Sequence, residues 1–304
     1  MVGNEWDDIL YWEDYESFGR FTCELDLKYD LGNSAEYEKR NAERDAFYRQ
    51  TIPTKEEFIR RFEQYARYGK AHWVMGHHRL VNEVTEEELT KAYRFASEEH
   101  GVTMIEMTEK ARLGWAAKHL TYYADKVCNA PSKPHRIMEM TVGAGVGTNA
   151  IVRSMTNDMY YAGVDIDFVC AKNADAIGRV YRKNALGVCA SLWHLPFADE
   201  VFDVVCSHFG LDECREIPTI LDEATRVLKA CGKLVLVSRH SAWLRRHEIF
   251  EKYGINEAQA LDLMRKARLY ADFEQLDALA TERGFVKTDY VPFEKWYVVE
   301  YQKK

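Results

Sequence analysis

The spacing of apolar positions changes near residue 134. Before that point it is helical. Thr54 with Glu57 and Thr85 with Glu88 each match the capping box, in which two side chains satisfy backbone donors at a helix start. After Thr85, the positions Leu89, Ala92, Tyr93 and Ala96 form one apolar face, and Gly101 supplies a stop. A longer helix is predicted over Thr103–Val127, with Met107, Ala111 and Trp115 on one side. It ends in NAPSKP, residues 129–134, whose prolines mark a linker. Beyond Pro134, short apolar runs alternate with helical stretches, which predicts a doubly wound α/β sheet with strands near 136–140, 160–165, 187–190, 202–207 and 233–238. A basic, largely helical insert over Arg239–Asp272 precedes a helix ending at Gly284, and two closing strands, FVKTDYV and KWYVVEYQ, flank Pro292 and Phe293. Strands joined by so short a link must be antiparallel. The predicted organisation is a helical N-terminal extension, residues 1–130, followed by an α/β domain, residues 131–304, with the helical insert at 239–273.

The chemistry concentrates in HRIMEMTVGAGVGT, residues 135–148. An apolar run (Ile137, Met138, Met140) carrying Glu139 breaks into Gly143, Gly145 and Gly147 before a stretch that can start a helix. That order reads as strand, tight turn, helix. Glycine takes positive φ and has no Cβ, so the backbone can lie against a ligand at the helix N-terminus. Twenty residues past Gly145, the run YYAGVD closes with Asp165, where a carboxylate can accept both hydroxyls of a ribose. The dinucleotide fingerprint fails, because Thr148 stands where its third glycine should be. In an open α/β sheet, ligands bind where strand order switches, which groups Glu139 to Gly145, Asp165, Ser191 and Ser207 around one crevice.

An acidic residue, a glycine turn and a second acidic residue ending the next strand resemble the first motifs of the class I S-adenosylmethionine-dependent methyltransferases. SLWHLPFADEVFDVVCSHFGLDE (Ser191–Glu213) and ILDEATRVLKACGKLVLVSR (Ile220–Arg239) are similar to that family's third-to-fifth strand region. The resemblance covers about a third of the chain, from Arg136 to Arg239. It implies a Rossmann-like, mostly parallel seven-stranded sheet with a reversed last strand, and S-adenosylmethionine as cofactor. By the same resemblance, Gly143 and Gly145 let backbone amides approach the amino-acid end of the cofactor, and Glu139 orients the loop from beneath. Thr141 occupies the place of the family's first glycine. Asp165 binds the ribose and Ile166 lies against the adenine. Ser191 replaces the usual adenine-binding Asp, so recognition rests more on the Leu192 backbone. Ser207 and His208, at the end of the fourth strand, face the transferred group, and His208 is the candidate general base because imidazole titrates near working pH. No Asn/Asp-Pro-Pro-aromatic tetrapeptide stands there, so the resemblance does not imply methylation of a nucleobase or a glutamine amide.

The expected reaction is methyl transfer to an O or N atom of a small molecule. Residues 239–268 hold Arg239, Arg245, Arg246, Lys252, Arg265, Lys266 and Arg268 against four acids, which suits an acceptor carboxylate with Arg239 among its contacts. Docking of an acidic segment of the chain explains the surplus equally well. Two other readings share the fold: use of the aminobutyrate arm of the cofactor, with release of methylthioadenosine, and a non-catalytic partner subunit.

Composition narrows the setting. The 304 residues suffice for one large domain, or a domain with an extension. No apolar run approaches the ~20 residues of a membrane span, and the N-terminal MVGNEWDDILYWEDYESF is acidic where a signal peptide is basic and apolar, so a cytoplasmic protein is expected. Seven cysteines without a C-x-x-C pair read as reduced thiols. Residues 1–34 hold nine acids against Arg20 and Lys28, which accounts for most of the net charge of −8. These acids are interleaved with rings, among them Tyr11, Trp12 and Tyr15, an arrangement suited either to an arm that covers a sulfonium cation and its substrate or to a solvated strip. His72, His77 and His78 lack a carboxylate or cysteine nearby to complete a metal site, and no metal is expected. No basic stripe is present, so nucleic acid is not an expected partner. The expected partner is a small-molecule substrate, and the oligomeric state stays open, a homodimer included.

Overall fold

Strand β1 (His135–Met140) buries five of its six residues, the pattern of a strand covered on both faces rather than the alternation of a half-exposed one. The computed structural model describes Lys28 and residues 34–51, 54–60, 113–114, 116–129, 135–166, 168–214 and 216–304. In chain order the helices are α1 (Ser34–Thr51), α2 (Ala117–Cys128), α3 (Val146–Ser154), α4 (Phe168–Tyr181), α5 (Ile217–Val227), α6 (Trp243–Lys252), α7 (Glu257–Lys266) and α8 (Phe273–Glu282). The remaining strands are β2 (Met159–Asp165), β3 (Ala185–Cys189), β4 (Phe202–His208), β5 (Leu228–Arg239), β6 (Phe285–Pro292) and β7 (Trp296–Lys303).

The strands form one sheet in the order β3-β2-β1-β4-β5-β7-β6. All run parallel except β7, which is antiparallel to both of its neighbours, as the expected reversed last strand requires. The chain leaves β1 toward β2 and β3, then crosses back to β4 and β5. Right-handed crossovers in opposite directions put helices on both faces. Accordingly α3 packs between α2 and α4, while α8 packs on α5. The core between these layers contains Ile137, Met138, Val204, Val205, Leu234 and Val235, all fully buried. Helix α5 shows why such segments become helices here: Ile217, Ile220, Leu221, Ala224 and Val227 fall at i, i+3, i+4, i+7 and i+10 and are all buried.

The chain divides into two compact units, residues 1–96 with 245–268 and residues 97–244 with 269–304. The first includes α1 and α7. Within it Phe58 is fully buried, stacked on Tyr253 and edge-on to Phe250, and Lys55 Nζ donates to the Gly254 carbonyl at 3.0 Å. The capping start at Thr54 is present, with Glu57 N donating to Thr54 Oγ1 at 3.1 Å. The second unit contains the whole sheet and also α2. The predicted border at residue 130 thus separates α2 from the sheet it packs on, because Leu120, Tyr123, Ala124 and Val127 form an apolar face that the sheet domain buries. The capping box at Thr85–Glu88, the histidines at 72, 77 and 78, and residues 103–112 and 115 of the predicted helix Thr103–Val127 lie outside the described residues. No disulfide joins the described cysteines, and no described helix is long and apolar enough to cross a membrane.

Gly187 lies in β3 against α4, where an added Cβ would overlap the Ala171 carbonyl oxygen and sit 2.7 Å from its carbon. The obstacle is backbone, which cannot rotate aside. Gly187→Ala is therefore expected to cost about 2 kcal/mol by overpacking. A lower urea midpoint at unchanged m-value would register it, and an unchanged midpoint would mean that α4 shifts freely.

Candidate active site

The C-terminal ends of β1, β2 and β4 carry the chemistry. After Met140 the chain turns sharply: Thr141 N and Val142 N both donate to Val164 O, and Gly145 N donates to Val142 O at 2.9 Å. Thr141, Gly143 and Gly145 all adopt positive φ, at 64°, 52° and 85°. For Thr141 that backbone is strained. It is held by a hydroxyl contact of 3.0 Å with Ser207 Oγ and by close packing on Gly210, where any Cβ would overlap Thr141 Oγ1. The Thr141 side chain is thus accommodated because Gly210, facing it, has none. Among the described residues, a Cβ at Gly143 would meet nothing within 4 Å. Gly145 is the N-cap of α3 and has no side chain with which to cap it. The first turn of α3 thus presents amide donors and the positive end of the helix dipole toward the turn.

Asp165 ends β2 beside this turn, and its Oδ2 accepts from Gly143 N at 2.9 Å. Gly143 O in turn accepts from Asn173 Nδ2 at 2.7 Å, which ties the turn to α4. The Gly143 amide, expected to face the amino-acid end of a cofactor, is committed to Asp165. Ile166 is half-buried just beyond, and Ala190 N donates to Asp165 O, which brings the segment after β3 alongside. In that segment Ser191 Oγ accepts from Trp193 N at 3.2 Å, and Leu192 is buried. The loop that follows is fastened by Arg226, which donates to the carbonyls of Leu195 and Phe197, while Glu223 accepts from Leu195 N at 2.7 Å. Arg226 and Glu223 were not singled out in the sequence, although the run DEATR places them three apart on one face of α5.

Glu139 lies under the turn, nearly inaccessible. It accepts from Thr148 Oγ1 at 2.6 Å, from Tyr161 OH and, at 3.5 Å, from Tyr123 OH. Its partners are side chains on α3, β2 and α2. The expected orienting bonds to the loop are therefore made one step removed, through the start of α3. Burial pushes its carboxyl up to about 7 against the pull of those three donors, with the Asp165 charge raising it further. Gly147 permits this arrangement, since a Cβ there would overlap the Glu139 carboxylate and lie 2.7 Å from His208 Cβ.

At the end of β4, Ser207 is buried and His208 half-buried. His208 Nε2 lies 3.0 Å from His119 Nε2 on α2. Burial holds His208 well below its ordinary range, reinforced by the His119 and Arg239 charges, and lowers His119 to about 4. Both shifts favour the uncharged ring. Aromatic groups surround them: Phe209, Phe293 and Trp296 all meet the His119 ring edge-on. His119 escaped the sequence reading because it stands 89 positions from His208, and its signal was a histidine within the buried stripe His119, Leu120, Tyr123 and Ala124. Asp212 escaped it too. This acid is nearly fully buried and pairs with Arg239 Nη1 at 2.8 Å, while the guanidinium lies over the Phe209 ring. The charge of Arg239 is thus already met within the protein. Arg245, Arg246, Lys252, Arg265, Lys266 and Arg268 belong to the other compact unit.

Tyr11, Trp12 and Tyr15 lie outside the described residues. Among the described residues, no cluster of three or more His, Cys, Asp or Glu side chains could hold a metal ion. An open groove of about 530 Å³ between Arg136, Tyr160, Leu186 and Phe197 lies at the opposite, N-terminal ends of the strands and takes no part in this site.

Residues 140–236 match the family described as Methyltransferase domain. The chain is 30% identical over 101 residues to the demethylmenaquinone methyltransferase of Thermobifida fusca, covering 33% of this chain and 42% of that enzyme. It is 32% identical over 111 residues to the ubiquinone/menaquinone biosynthesis C-methyltransferase of Laribacter hongkongensis, covering 32% of this chain and 44% of that enzyme. The chain thus spans less than half the length of these two relatives. A longer alignment joins it to the demethylmenaquinone methyltransferase of Lactococcus lactis, 24% identical over 230 residues, covering 71% of this chain and 89% of that enzyme.

Because the folded state holds the Glu139 proton up to about pH 7, against an ordinary value of 4.5, the folded form binds more protons than the unfolded one between these limits. Stability from this group is complete below pH 4.5 and falls as pH rises toward 7, by on the order of 3 kcal/mol. Glu139→Gln removes that slope. The stability difference between wild type and variant, measured by denaturant unfolding from pH 4.5 to 8, is expected to shift in the variant's favour with rising pH, whereas parallel curves would contradict a protonated Glu139.

Proposed function

We propose, from the premise that this chain belongs to the class I S-adenosylmethionine-dependent methyltransferase superfamily, that it transfers a methyl group to a flat, hydroxylated aromatic small molecule. The observation that carries the reading is the ring-lined pair of His208, at the end of β4, and His119, on α2, one strand from the glycine turn and two from Asp165. Residues of the turn fit S-adenosylmethionine: among the described residues nothing would meet a Cβ at Gly143, the start of α3 is uncapped, and Asp165 stands at the end of the neighbouring strand. The cofactor supplies a methyl group bound to a cationic sulfur and open to in-line displacement.

The chain's own residues then have separable tasks. Asp165 would hold the ribose hydroxyls, Ile166 and Leu192 would lie against the adenine, and Ser191 would accept at its edge. Gly143, Gly145 and Thr141 keep the backbone low beneath the amino-acid end, and Glu139 holds the start of α3 in place through Thr148. Ser207 fixes the Thr141 hydroxyl. His208 takes a proton from the acceptor, for which a neutral imidazole is the required form. Methylation at carbon or oxygen of a phenolic ring needs that proton removed, and methylation of a neutral amine does not. The relatives named for menaquinone and ubiquinone biosynthesis support a quinol-like ring and a carbon acceptor. The pairing of Arg239 with Asp212 leaves an acceptor carboxylate without a dedicated partner at that residue.

The test is incubation with S-adenosylmethionine alone and with hydroquinone, 1,4-dihydroxynaphthalene, catechol or a primary amine, with mass spectrometry of the nucleoside product. S-adenosylhomocysteine is expected only with the phenolic acceptors. Methylthioadenosine formed without an acceptor would overturn methyl transfer and identify use of the aminobutyrate arm. Asp165→Ala is expected to weaken S-adenosylmethionine binding about 10- to 100-fold by calorimetry, the worth of hydrogen bonds to a charged group.

A further inference from the structure

The geometry of the two histidines is more specific than proximity. Their Nε2 atoms are 3.0 Å apart, their ring centres 5.2 Å apart, and their planes only 8° from parallel. The centre separation equals the nitrogen separation plus about one ring diameter, so the rings meet head-on in a common plane rather than face to face. A single hydrogen fits on that line. One imidazole must donate Nε2–H and the other must accept at Nε2, and each neutral ring carries one hydrogen. The two tautomers are therefore opposite.

We propose that His119 is a positioning residue for His208: by accepting from its Nε2–H, His119 fixes the tautomer in which His208 Nδ1 holds a lone pair, and Nδ1 is the atom that takes the acceptor's proton. This rests on the methyl-transfer reading above. The Nε2 of His208 is occupied by His119, so Nδ1 is the nitrogen left for chemistry. When the acceptor's O–H proton moves to Nδ1, its bonding pair stays on the acceptor, whose oxygen or conjugated ring carbon displaces the sulfonium sulfur from the methyl carbon. The carbon–sulfur pair goes to sulfur. After O-methylation the imidazolium returns its proton to solvent; after C-methylation the ring carbon loses its own proton and the phenol is restored. Each route releases one proton net.

His119 accepts from the resulting imidazolium, as a carboxylate does behind a catalytic histidine, but without adding a negative charge. The charged and titratable groups facing the pair favour this choice of partner. Arg239 lies over Phe209, the Tyr123 ring packs on His208 itself, and the buried Glu139 lies across Gly147. A neutral acceptor avoids placing a second carboxylate beside Glu139. The sequence of His119 on α2 and its burial against Phe209, Phe293 and Trp296 hold its ring from three sides, so little freedom remains for it to turn away.

Two variants separate positioning from packing. His119→Gln places an amide oxygen near the lost Nε2 and can accept from His208, but fits the aromatic surroundings poorly. His119→Phe fits those surroundings and accepts nothing. Positioning predicts that kcat with 1,4-dihydroxynaphthalene falls about a hundredfold in His119→Phe at little changed KM, and is largely retained in His119→Gln. Packing alone predicts the reverse order, and that order would overturn the proposal. Nitrogen-15 NMR of the imidazoles in the wild-type protein decides the tautomers without any acceptor: His208 protonated on Nε2 and His119 on Nδ1 is expected, and the opposite assignment sinks the idea. If wild type forms no S-adenosylhomocysteine with any phenol while the NMR assignment holds, the reaction reading fails and the tautomer assignment stands.

Discussion

The arrangement of the site depends on one buried carboxylate. Glu139 receives hydroxyl donors from α2, α3 and β2 at once, through Tyr123, Thr148 and Tyr161. Such convergence is costly to build, because a buried acid must be fully hydrogen-bonded or neutral. Once built, it fixes where α3 begins relative to β1, and with it the glycine turn. Gly147 follows as a requirement, since a methyl group there would collide with the carboxylate and with His208. The same residue that lets Glu139 approach also lets β4 bring its histidine against the start of α3.

The two halves of the crevice are electrostatically different. On the turn side, an uncapped helix start and Asp165 provide oriented dipoles and a charge that can meet a zwitterionic, hydroxyl-bearing ligand. On the β4 side, rings surround two imidazoles that burial keeps neutral. The β4 side therefore presents rings and imidazole nitrogens where the turn side presents a carboxylate and backbone amides. Arg239, paired with Asp212 and lying over Phe209, adds a positive charge that lowers His208 further.

Much of this was legible from local pattern. The strand-turn-helix at residues 135–148, the acid ending β2 and the antiparallel closing pair all rest on short-range signals, while the seven-stranded sheet with its reversed last strand came from the family resemblance. What sequence could not reach was set at long range. His119 looked like one position on a helix, and only the packing of α2 on the sheet brings it to His208. The start of β5 was missed because Lys229–Gly232 reads as a turn. In the fold Leu228 already pairs with Phe202, and the ladder resumes at Lys233 after an irregularity at Cys231, whose φ is 58°. Thr141 was legible as a departure, but its compensation at Gly210 was not, because the two meet only across adjacent strand ends.

Spatial order and synthesis order disagree at one edge of the sheet. β7 is made after β6, yet it sits between β6 and β5, with a full antiparallel ladder to each. As the chain emerges, β5 therefore waits through α6, α7, α8 and β6 with an open edge of Val and Leu residues before its neighbour exists. An unpaired apolar edge is a template for pairing with other chains. The nascent protein is consequently most exposed to misassembly once β1 to β5 have been made, and residues 296–303 close that window as they arrive.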